Sequence, residues 1–240
     1  MTVSADRREE LKRVFEEARG CVRCSQLAAA RQQVVFGAGN ADADLLFVAE
    51  APGANEDREG LPFVGQAGKL LDQLLGDIGL SRRDVFITTV VKCRPPGNRE
   101  PHPAEIANCH DYLVRQLDLI APKVVCSLGN FATKLVRDDP AGITRVHGQE
   151  EVRVIGRRAV RLYPIYHPTA ALYTPRMLEV LRTDFARIPQ LLAQPAPAQP
   201  PVVVETAPAE EPQPPAGRVE APDPPPPEPE PPMEGQLGLF

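Results

Sequence analysis

Short apolar runs alternate with amphipathic segments along the first 192 residues of the chain. Four runs are continuous and rich in branched apolar residues, which is typical of strands buried on both faces of a parallel sheet. The predicted strands are Asp44–Ala49, Val85–Val91, Lys123–Ser127 and Ala159–Tyr166. Apolar residues at helical spacing predict helices over Asp6–Ala18, Leu70–Ile78, Pro103–Ile120, Asn130–Val136 and Pro175–Leu192. Residues 143–156 fit a hairpin or an irregular excursion.

The alternation of strands with helices predicts an α/β fold. We expect a single three-layer domain over residues 1–192, with a four-stranded, mainly parallel sheet covered by helices on both faces. Ligands bind such sheets at the carboxyl ends of the strands. The loops 50–66, 93–103 and 167–175 each follow a predicted strand. We therefore expect these loops to meet at one edge of the sheet and to form the functional site there.

The composition changes at Ala193. Residues 193–240 hold 16 of the 28 prolines, and eight acidic residues against one arginine give this segment a charge of −7. A segment with so little apolar surface is expected to be a disordered Pro/Glu-rich tail. Since the whole chain carries −5, the first 192 residues carry about +2. The predicted domain is thus mildly basic, which is compatible with binding to DNA.

No apolar run approaches the roughly 20 residues that a membrane-spanning helix needs. The first fifteen residues, MTVSADRREELKRVF, contain no segment of signal-peptide type. We expect a monomeric cytoplasmic protein without a membrane partner. Its five cysteines are an odd number, and thiols in the cytosol are normally reduced, so a disulfide framework is not expected.

Four of the five cysteines lie in or beside loops. Cys21 and Cys24 form a C-x2-C pair, whereas Cys93 follows the second predicted strand and Cys109 lies on the next helix. Cys126, in contrast, lies within an apolar strand and is expected to be a small buried residue. Four reduced thiolates suit either zinc or an iron–sulfur cluster, and the spacing alone does not decide between them.

Several separated motifs together resemble the family 4 uracil-DNA glycosylases, over nearly all of residues 20–190. Their order and spacing, more than any one of them, carry the resemblance. The motifs are Cys21-x2-Cys24, Ala49-Glu50-Ala51-Pro52-Gly53, Glu56-Asp57, Gly60-Leu61-Pro62-Phe63-Val64-Gly65, Val90-Val91-Lys92-Cys93-Arg94-Pro95-Pro96, Cys109, Val146-His147-Gly148 and His167-Pro168.

The resemblance implies a uracil-DNA glycosylase fold and an enzyme that hydrolyses the N-glycosidic bond of uracil in DNA, the first step of base excision repair. It implies that Cys21, Cys24, Cys93 and Cys109 bind a four-iron–four-sulfur cluster.

The same resemblance implies roles for residues of the predicted loops. His167 would donate to the uracil O2 and stabilise the leaving base. The other implied site residues are Phe63, which would stack on the flipped base; Glu50 and Glu56, which would order the attacking water and the pocket; and Ala51 and Gly53, which would contact the substrate. Ala51 stands where better-known uracil glycosylases have a water-activating Asp, which favours a mechanism dominated by stabilisation of the leaving group.

Thr89 departs from the family pattern, which has Asn in the second strand. An Asn amide offers both a donor and an acceptor to the base, whereas the shorter Thr hydroxyl satisfies fewer groups. We expect Thr89 to bind the substrate but to discriminate uracil less strongly. After His167, we expect Leu172 and Tyr173 to wedge into the gap left by the flipped base. Basic residues expected to reach phosphates are Lys69, Lys92, Arg176 and Arg182.

The last five residues, Gln236 to Phe240, read QLGLF and form an apolar cluster after the Pro/Glu-rich stretch. They resemble the pentapeptide by which bacterial proteins bind the sliding clamp. A short apolar anchor on a flexible tether can raise the effective concentration of an enzyme at the site where it acts.

Two other functions fit parts of the same sequence. The first is a related uracil-recognising protein that binds or cross-links to the abasic product. Its relatives carry a basic insert with a reactive His after the second strand, where this chain offers only His102. The second is a non-enzymatic adaptor that uses a metal site and the tail.

Overall fold

The protein was studied as a computed structural model that describes residues 3–201, with side chains from Asp6 onward. The strands are β1 (Ala38–Gly39), β2 (Leu45–Ala49), β3 (Val85–Thr89), β4 (Val124–Leu128), β5 (Glu151–Ile155) and β6 (Arg158–Ile165). The helices are α1 (Val3–Arg19), α2 (Ser25–Ala30), α3 (Ala54–Glu59), α4 (Gln66–Asp77), α5 (Pro103–Ile120), α6 (Gly129–Arg137), α7 (Ile143–Val146), α8 (Thr169–Tyr173), α9 (Arg176–Ala186) and α10 (Ile188–Ala193), with a 3-10 turn at Pro96–Asn98.

One sheet forms the middle layer, in the order β1-β3-β2-β4-β6-β5. Its four central strands are parallel, whereas β1 and β5 pair antiparallel at the two edges. The α/β class and the parallel centre predicted from the sequence are confirmed. The predicted number of four strands was wrong, because the sheet has six strands within residues 3–201.

The two additional strands lie outside the four predicted apolar runs, although β5 falls within residues 143–156, where a hairpin or an irregular excursion was expected, and it forms a hairpin with β6. β1 is only two residues long and includes Gly39. In β5 the valines Val152 and Val154 are exposed, while Glu151 turns inward and receives a hydrogen bond of 2.5 Å from the Arg137 Nε. The alternation in β5 is therefore opposite to the one that an apolar pattern would predict.

Strand β2 shows how the three layers are joined. All five of its residues are buried, as the continuous apolar run predicted. Because successive strand residues point to opposite faces, Leu46 and Val48 pack in the cluster under α1 and α5, whereas Leu45 and Phe47 pack in the cluster under α4, α9 and α10. Phe47 also stacks on Phe185 of α9, with ring centroids 5.9 Å apart.

The C-terminal end of the described part differs from the sequence prediction in two respects. The single helix predicted over Pro175–Leu192 is two helices, which meet at Arg187 because Pro189 in the first turn of α10 supplies no backbone donor. Beyond α10, the Gln199 side chain exchanges two hydrogen bonds with the Ala159 backbone, at 3.1 and 2.9 Å. The compact unit accordingly extends to Pro201.

Most of the predicted tail, residues 202–240, lies outside the described residues. The QLGLF segment at 236–240 belongs to this part. Within residues 3–201, no helix combines the length and the apolar character needed to cross a bilayer.

Candidate active site

The four parallel strands end together at one edge of the sheet. Ala49 of β2 is in register with Thr89 of β3, and Leu128 of β4 is in register with Ile165 of β6. A cavity of about 510 Å³ opens at this edge. Residues that follow all four strands line it, which is the arrangement expected for a ligand site in a parallel sheet.

Most of the site residues that the sequence singled out line this cavity. They come from separate loops and from the end of β3, and the fold brings them together. The lining includes Glu50, Ala51, Gly53, Glu56, Phe63, Thr89 and His167.

Phe63 lies in the cavity wall with a strained backbone. Its φ of 56° is in the left-handed region, which costs a bulky residue about 1–3 kcal/mol. The loop around it is held by Glu56, whose Oε1 accepts hydrogen bonds from the Val64 and Gly65 backbone at 3.1 and 3.3 Å. The Phe63 ring lies 5.4 Å from the His167 ring, centroid to centroid. The two rings are thus close enough to touch one pyrimidine.

His167 follows β6, and a hydrogen bond fixes the roles of its two ring nitrogens. The Thr169 backbone N–H donates to Nδ1 at 3.2 Å, and the Thr169 hydroxyl lies 2.8 Å from the same atom. Nδ1 is therefore an acceptor, so the neutral imidazole carries its proton on Nε2. Burial lowers the pKa of His167 to about 4, although the charge of Glu56 opposes this. The ring is consequently neutral at neutral pH and presents an N–H donor.

Glu50 follows β2 and is half-buried in the cavity wall. Burial raises its pKa above the ordinary value, and the charge of Glu100 raises it further. Glu100 also lines the cavity, as do Asn130 and Phe131, and none of these three was predicted from the sequence as a site residue. Asn130 comes two residues after the end of β4, so the rule that strand ends carry the site could have identified it.

Thr89 is buried, and its hydroxyl is already engaged. The Oγ1 donates to the Val91 carbonyl at 2.7 Å. Only the lone pairs of this oxygen remain for a ligand, so Thr89 can accept a hydrogen bond from a base but cannot donate one.

Lys92 does not reach DNA phosphates, contrary to the sequence prediction. Its side chain is buried, and Nζ donates to Thr88 Oγ1, the Thr89 carbonyl and Gln116 Oε1, at 2.6, 2.6 and 2.7 Å. Burial lowers the pKa of Lys92 to about 7, an effect that a negative charge on Cys109 opposes. Lys92 therefore joins the end of β3 to α5. Lys69, Arg176 and Arg182 are exposed, as contact with phosphates would require.

The short helix α8 begins two residues after His167. Its two apolar residues Leu172 and Tyr173 are 43% and 86% exposed. Two adjacent exposed apolar side chains on a helix that begins just after a cavity-lining residue suit contact with a partner.

His147 and Gly148, which the family motif includes, lie beside the same site. The His147 Nδ1 is 3.1 Å from Asp184 Oδ2, and its ring lies 4.6 Å from the ring of Tyr166, the neighbour of His167. A Cβ at Gly148 would come within 2.8 Å of Asp184 Oδ1. The motif thus packs α7 against α9 under the end of β6.

The four loop cysteines are brought together on the side of the sheet covered by α1 and α5. All four are free thiols, and Cys126 is buried in β4 as predicted. Burial raises the pKa of Cys93 to about 11, although the Arg31 guanidinium opposes this, and charges on Cys109 and Cys21 add smaller increases. Burial likewise raises the pKa of Cys109, with smaller effects of the same sign from Cys21 and Cys24. Such thiols hold their protons unless a metal displaces them.

Three nitrogen donors point at the sulfur atoms. The Arg31 Nη1 lies 3.2 Å from Cys93 Sγ, the Lys92 backbone nitrogen 3.2 Å from Cys109 Sγ, and Asn108 Nδ2 3.5 Å from Cys24 Sγ. Among the described residues, no group of three or more His, Cys, Asp or Glu side chains is arranged to hold a metal ion. Four thiols, three of which have nitrogen donors on their sulfurs, nevertheless fit the ligand chemistry of an iron–sulfur cluster.

Comparisons with known proteins agree with the geometry. The sequence model of the uracil DNA glycosylase superfamily matches residues 36–191. A type-4 uracil-DNA glycosylase of Sulfurisphaera tokodaii is 44% identical over 192 residues, which cover 78% of this chain and 87% of that protein.

Two further type-4 uracil-DNA glycosylases are similar to this chain. The one from Archaeoglobus fulgidus is 44% identical over 79% of this chain and 96% of its own length. The one from Saccharolobus solfataricus is 43% identical over 77% of this chain and 88% of its own length. Matches of this extent show that the chain belongs to the uracil DNA glycosylase superfamily and, within it, to the type-4 family.

Proposed function

We propose that this chain is a monofunctional uracil-DNA glycosylase that removes uracil from DNA at the start of base excision repair. The observation that carries the proposal is the pairing, in one cavity, of the Phe63 ring with a neutral His167 whose Nε2 bears the proton. A ring face and a single N–H donor are what a flipped pyrimidine with a departing oxygen requires.

The chemistry follows from charge development at the leaving base. As the bond between N1 of uracil and C1′ of the sugar breaks, its electron pair moves into the ring and chiefly onto O2. The Nε2–H of His167 donates to that oxygen and stabilises the charge, while Phe63 holds the ring by stacking. Because the site is buried, the hydrogen bond is stronger than it would be in water.

Water then adds to C1′, and its proton leaves toward solvent or a carboxylate. With Ala51 where an Asp base would stand, Glu50 is the carboxylate that orients this water. Glu56 has a different task, because its Oε1 is occupied by the Val64 and Gly65 backbone donors and it keeps the Phe63 loop closed. Gly53 supports the same arrangement, since a Cβ there would lie 2.7 Å from Glu56 Oε2.

DNA is gripped beside the cavity. Leu172 and Tyr173 on α8 enter the gap that the flipped nucleotide leaves, and the exposed Lys69, Arg176 and Arg182 contact phosphates. Tyr173 is the larger and the more exposed of the two wedge residues.

Cys21, Cys24, Cys93 and Cys109 hold a four-iron–four-sulfur cluster. When bound, the cluster supplies structural cross-linking among the segments that carry the cysteines. Arg31 and the Lys92 backbone orient two of the sulfurs. The Lys92 side chain binds the Thr89 carbonyl at the end of β3, so Lys92 connects the cysteines to a residue that lines the cavity.

Incubation with single- and double-stranded oligonucleotides that contain one uracil tests the proposal. Cleavage at that position only after alkali, with release of free uracil, is expected, and thymine in the same place is the control. A DNA adduct that survives denaturants would instead favour the cross-linking alternative. A colourless protein with bound zinc and no uracil release would favour the adaptor.

The pH dependence of the reaction tests the neutral state of His167. Because burial holds the pKa of His167 near 4, its neutral form persists as the pH falls from about 8 to 5, and Nδ1 takes up a proton and loses the Thr169 backbone donor only below that range. Single-turnover rates are expected to show no acid limb from this group above about pH 5. Thr169→Ala, which keeps the backbone donor to Nδ1, is expected to have the same profile. A limb near pH 6.5 that is absent in His167→Asn would contradict the assignment.

Replacement of Thr89 tests base discrimination. Thr89→Asn supplies both a donor and an acceptor where the present hydroxyl only accepts, so kcat/KM on uracil, or its ratio to that on cytosine, is expected to rise about tenfold, the effect of roughly one hydrogen bond. Thr89→Ser keeps the hydroxyl and serves as the control. An unchanged rate together with an unchanged base preference would refute this role.

Binding to a bacterial sliding clamp through residues 236–240 rests on the sequence QLGLF alone. Deletion of these residues is expected to abolish capture by the purified clamp and to leave excision on short oligonucleotides unchanged, because the residues that line the cavity lie between Val35 and Thr169. The matched control carries the same five residues in scrambled order. Equal capture of all three proteins would remove the proposal.

A further inference from the structure

Arg82 lies in the turn between α4 and β3, outside the lining of the cavity. Its guanidinium nonetheless contacts the loop that carries Phe63. The Nη1 donates to the Pro62 carbonyl at 3.1 Å, and Nη2 donates to the Phe63 carbonyl at 2.5 Å. The Nε donates to Asp72 on α4, also at 2.5 Å. The planar group is thus fixed on one side by the helix and holds two loop carbonyls with the other.

Phe63 needs such support because its own side chain disfavours its backbone conformation. A φ of 56° is left-handed, and bulky residues keep this conformation only where the surroundings impose it. Glu56 already binds the Val64 and Gly65 nitrogens that follow Phe63. Arg82 binds the carbonyl oxygens of Pro62 and Phe63 itself. Glu56 thus binds backbone donors of this short loop, and Arg82 binds backbone acceptors of the same loop.

Gly68 shows how closely the Phe63 carbonyl approaches the backbone of α4. Gly68 lies in the first turn of α4, and a Cβ there would be only 1.7 Å from the Phe63 carbonyl oxygen and 3.0 Å from Arg82 Nη2. Its carbonyl also accepts from Nη2, at 3.4 Å. The Phe63 carbonyl therefore lies directly against the helix backbone, and a side chain at position 68 would push it away.

We propose that Arg82 is a positioning residue for the base pocket: by holding the Pro62 and Phe63 carbonyls against α4, it keeps the Phe63 ring turned toward His167. The inference rests on the proposed role of Phe63 as the surface on which uracil stacks. It assigns part of the affinity for the base to a residue that does not line the cavity.

Arg82→Gln tests the proposal, with Arg83→Gln as the matched control because Arg83 is the neighbouring exposed arginine and its loss changes the charge equally. Arg82→Gln is expected to lower kcat/KM on uracil-containing DNA about ten- to hundredfold, as a small misplacement of a binding group does. Inhibition by free uracil is expected to weaken by a similar factor, since the base alone still stacks on Phe63. Arg83→Gln is expected to match the unmodified protein in both measurements.

A double-mutant cycle separates positioning from general stabilisation. If Arg82 acts through the Phe63 ring, then Arg82→Gln in a Phe63→Ala background is expected to cost less than about twofold. Equal losses in both backgrounds, or equal losses in Arg82→Gln and Arg83→Gln, would overturn the inference. Full activity of Phe63→Ala alone would instead overturn the stacking role on which the inference rests.

Two further variants keep the test open if Arg82→Gln fails to fold. Arg82→Lys retains a cation that can reach one carbonyl but not both, so an intermediate affinity for free uracil is expected. Gly68→Ala displaces the same carbonyl from the other side and is expected to reproduce the uracil-binding defect with Arg82 intact. Normal uracil affinity in both folded variants would also overturn the inference.

Discussion

One hydrogen bond, from the Thr169 backbone to Nδ1 of His167, decides what the buried imidazole can do. It makes Nδ1 an acceptor and so places the ring proton on Nε2. Burial keeps the ring neutral, with a pKa of about 4. Without the hydrogen bond to Nδ1 the position of the ring proton would be undefined, and without burial the site would hold an imidazolium cation. Together they leave the imidazole with a single N–H donor, at Nε2, on a residue that lines the cavity.

The rest of the fold places that donor opposite a ring face. Four parallel strands end at one edge, so the residues that follow them share one cavity although they are far apart in sequence. The Phe63 loop is the strained part of this arrangement. Glu56 from one side and Arg82 from the other bind its backbone, so residues that need not touch the base still determine where the Phe63 ring lies.

The sequence could predict the class of the fold and most of the cavity, because continuous apolar strands and the loops after them follow simple rules. The buried run of β2 and the convergence of Glu50, Phe63 and His167 are of this kind. Strand β5 was expected only as part of a hairpin or an irregular excursion over residues 143–156, because its valines face outward and Glu151 pairs with Arg137 on another element. That pairing exists only in the folded chain.

Individual charged residues were the hardest to predict. Lys92 was predicted to be a surface cation, yet its side chain is buried and donates to three acceptors on β3 and α5. Arg82 reads as an ordinary turn residue, and its contacts with Pro62 and Phe63 depend on how α4 packs. Glu100 lies in the loop 93–103, which was expected at this edge of the sheet, but no local pattern indicates which side chains of that loop reach the cavity. In each case long-range packing sets the environment of the charge.

The account is tested most directly by a crystal structure of the protein with free uracil bound. The predicted result is a uracil ring stacked on Phe63, with O2 within hydrogen-bonding distance of His167 Nε2 and Nδ1 still bound to the Thr169 backbone. A uracil bound in the same cavity with O2 turned away from His167, or with its ring away from Phe63, would contradict the account.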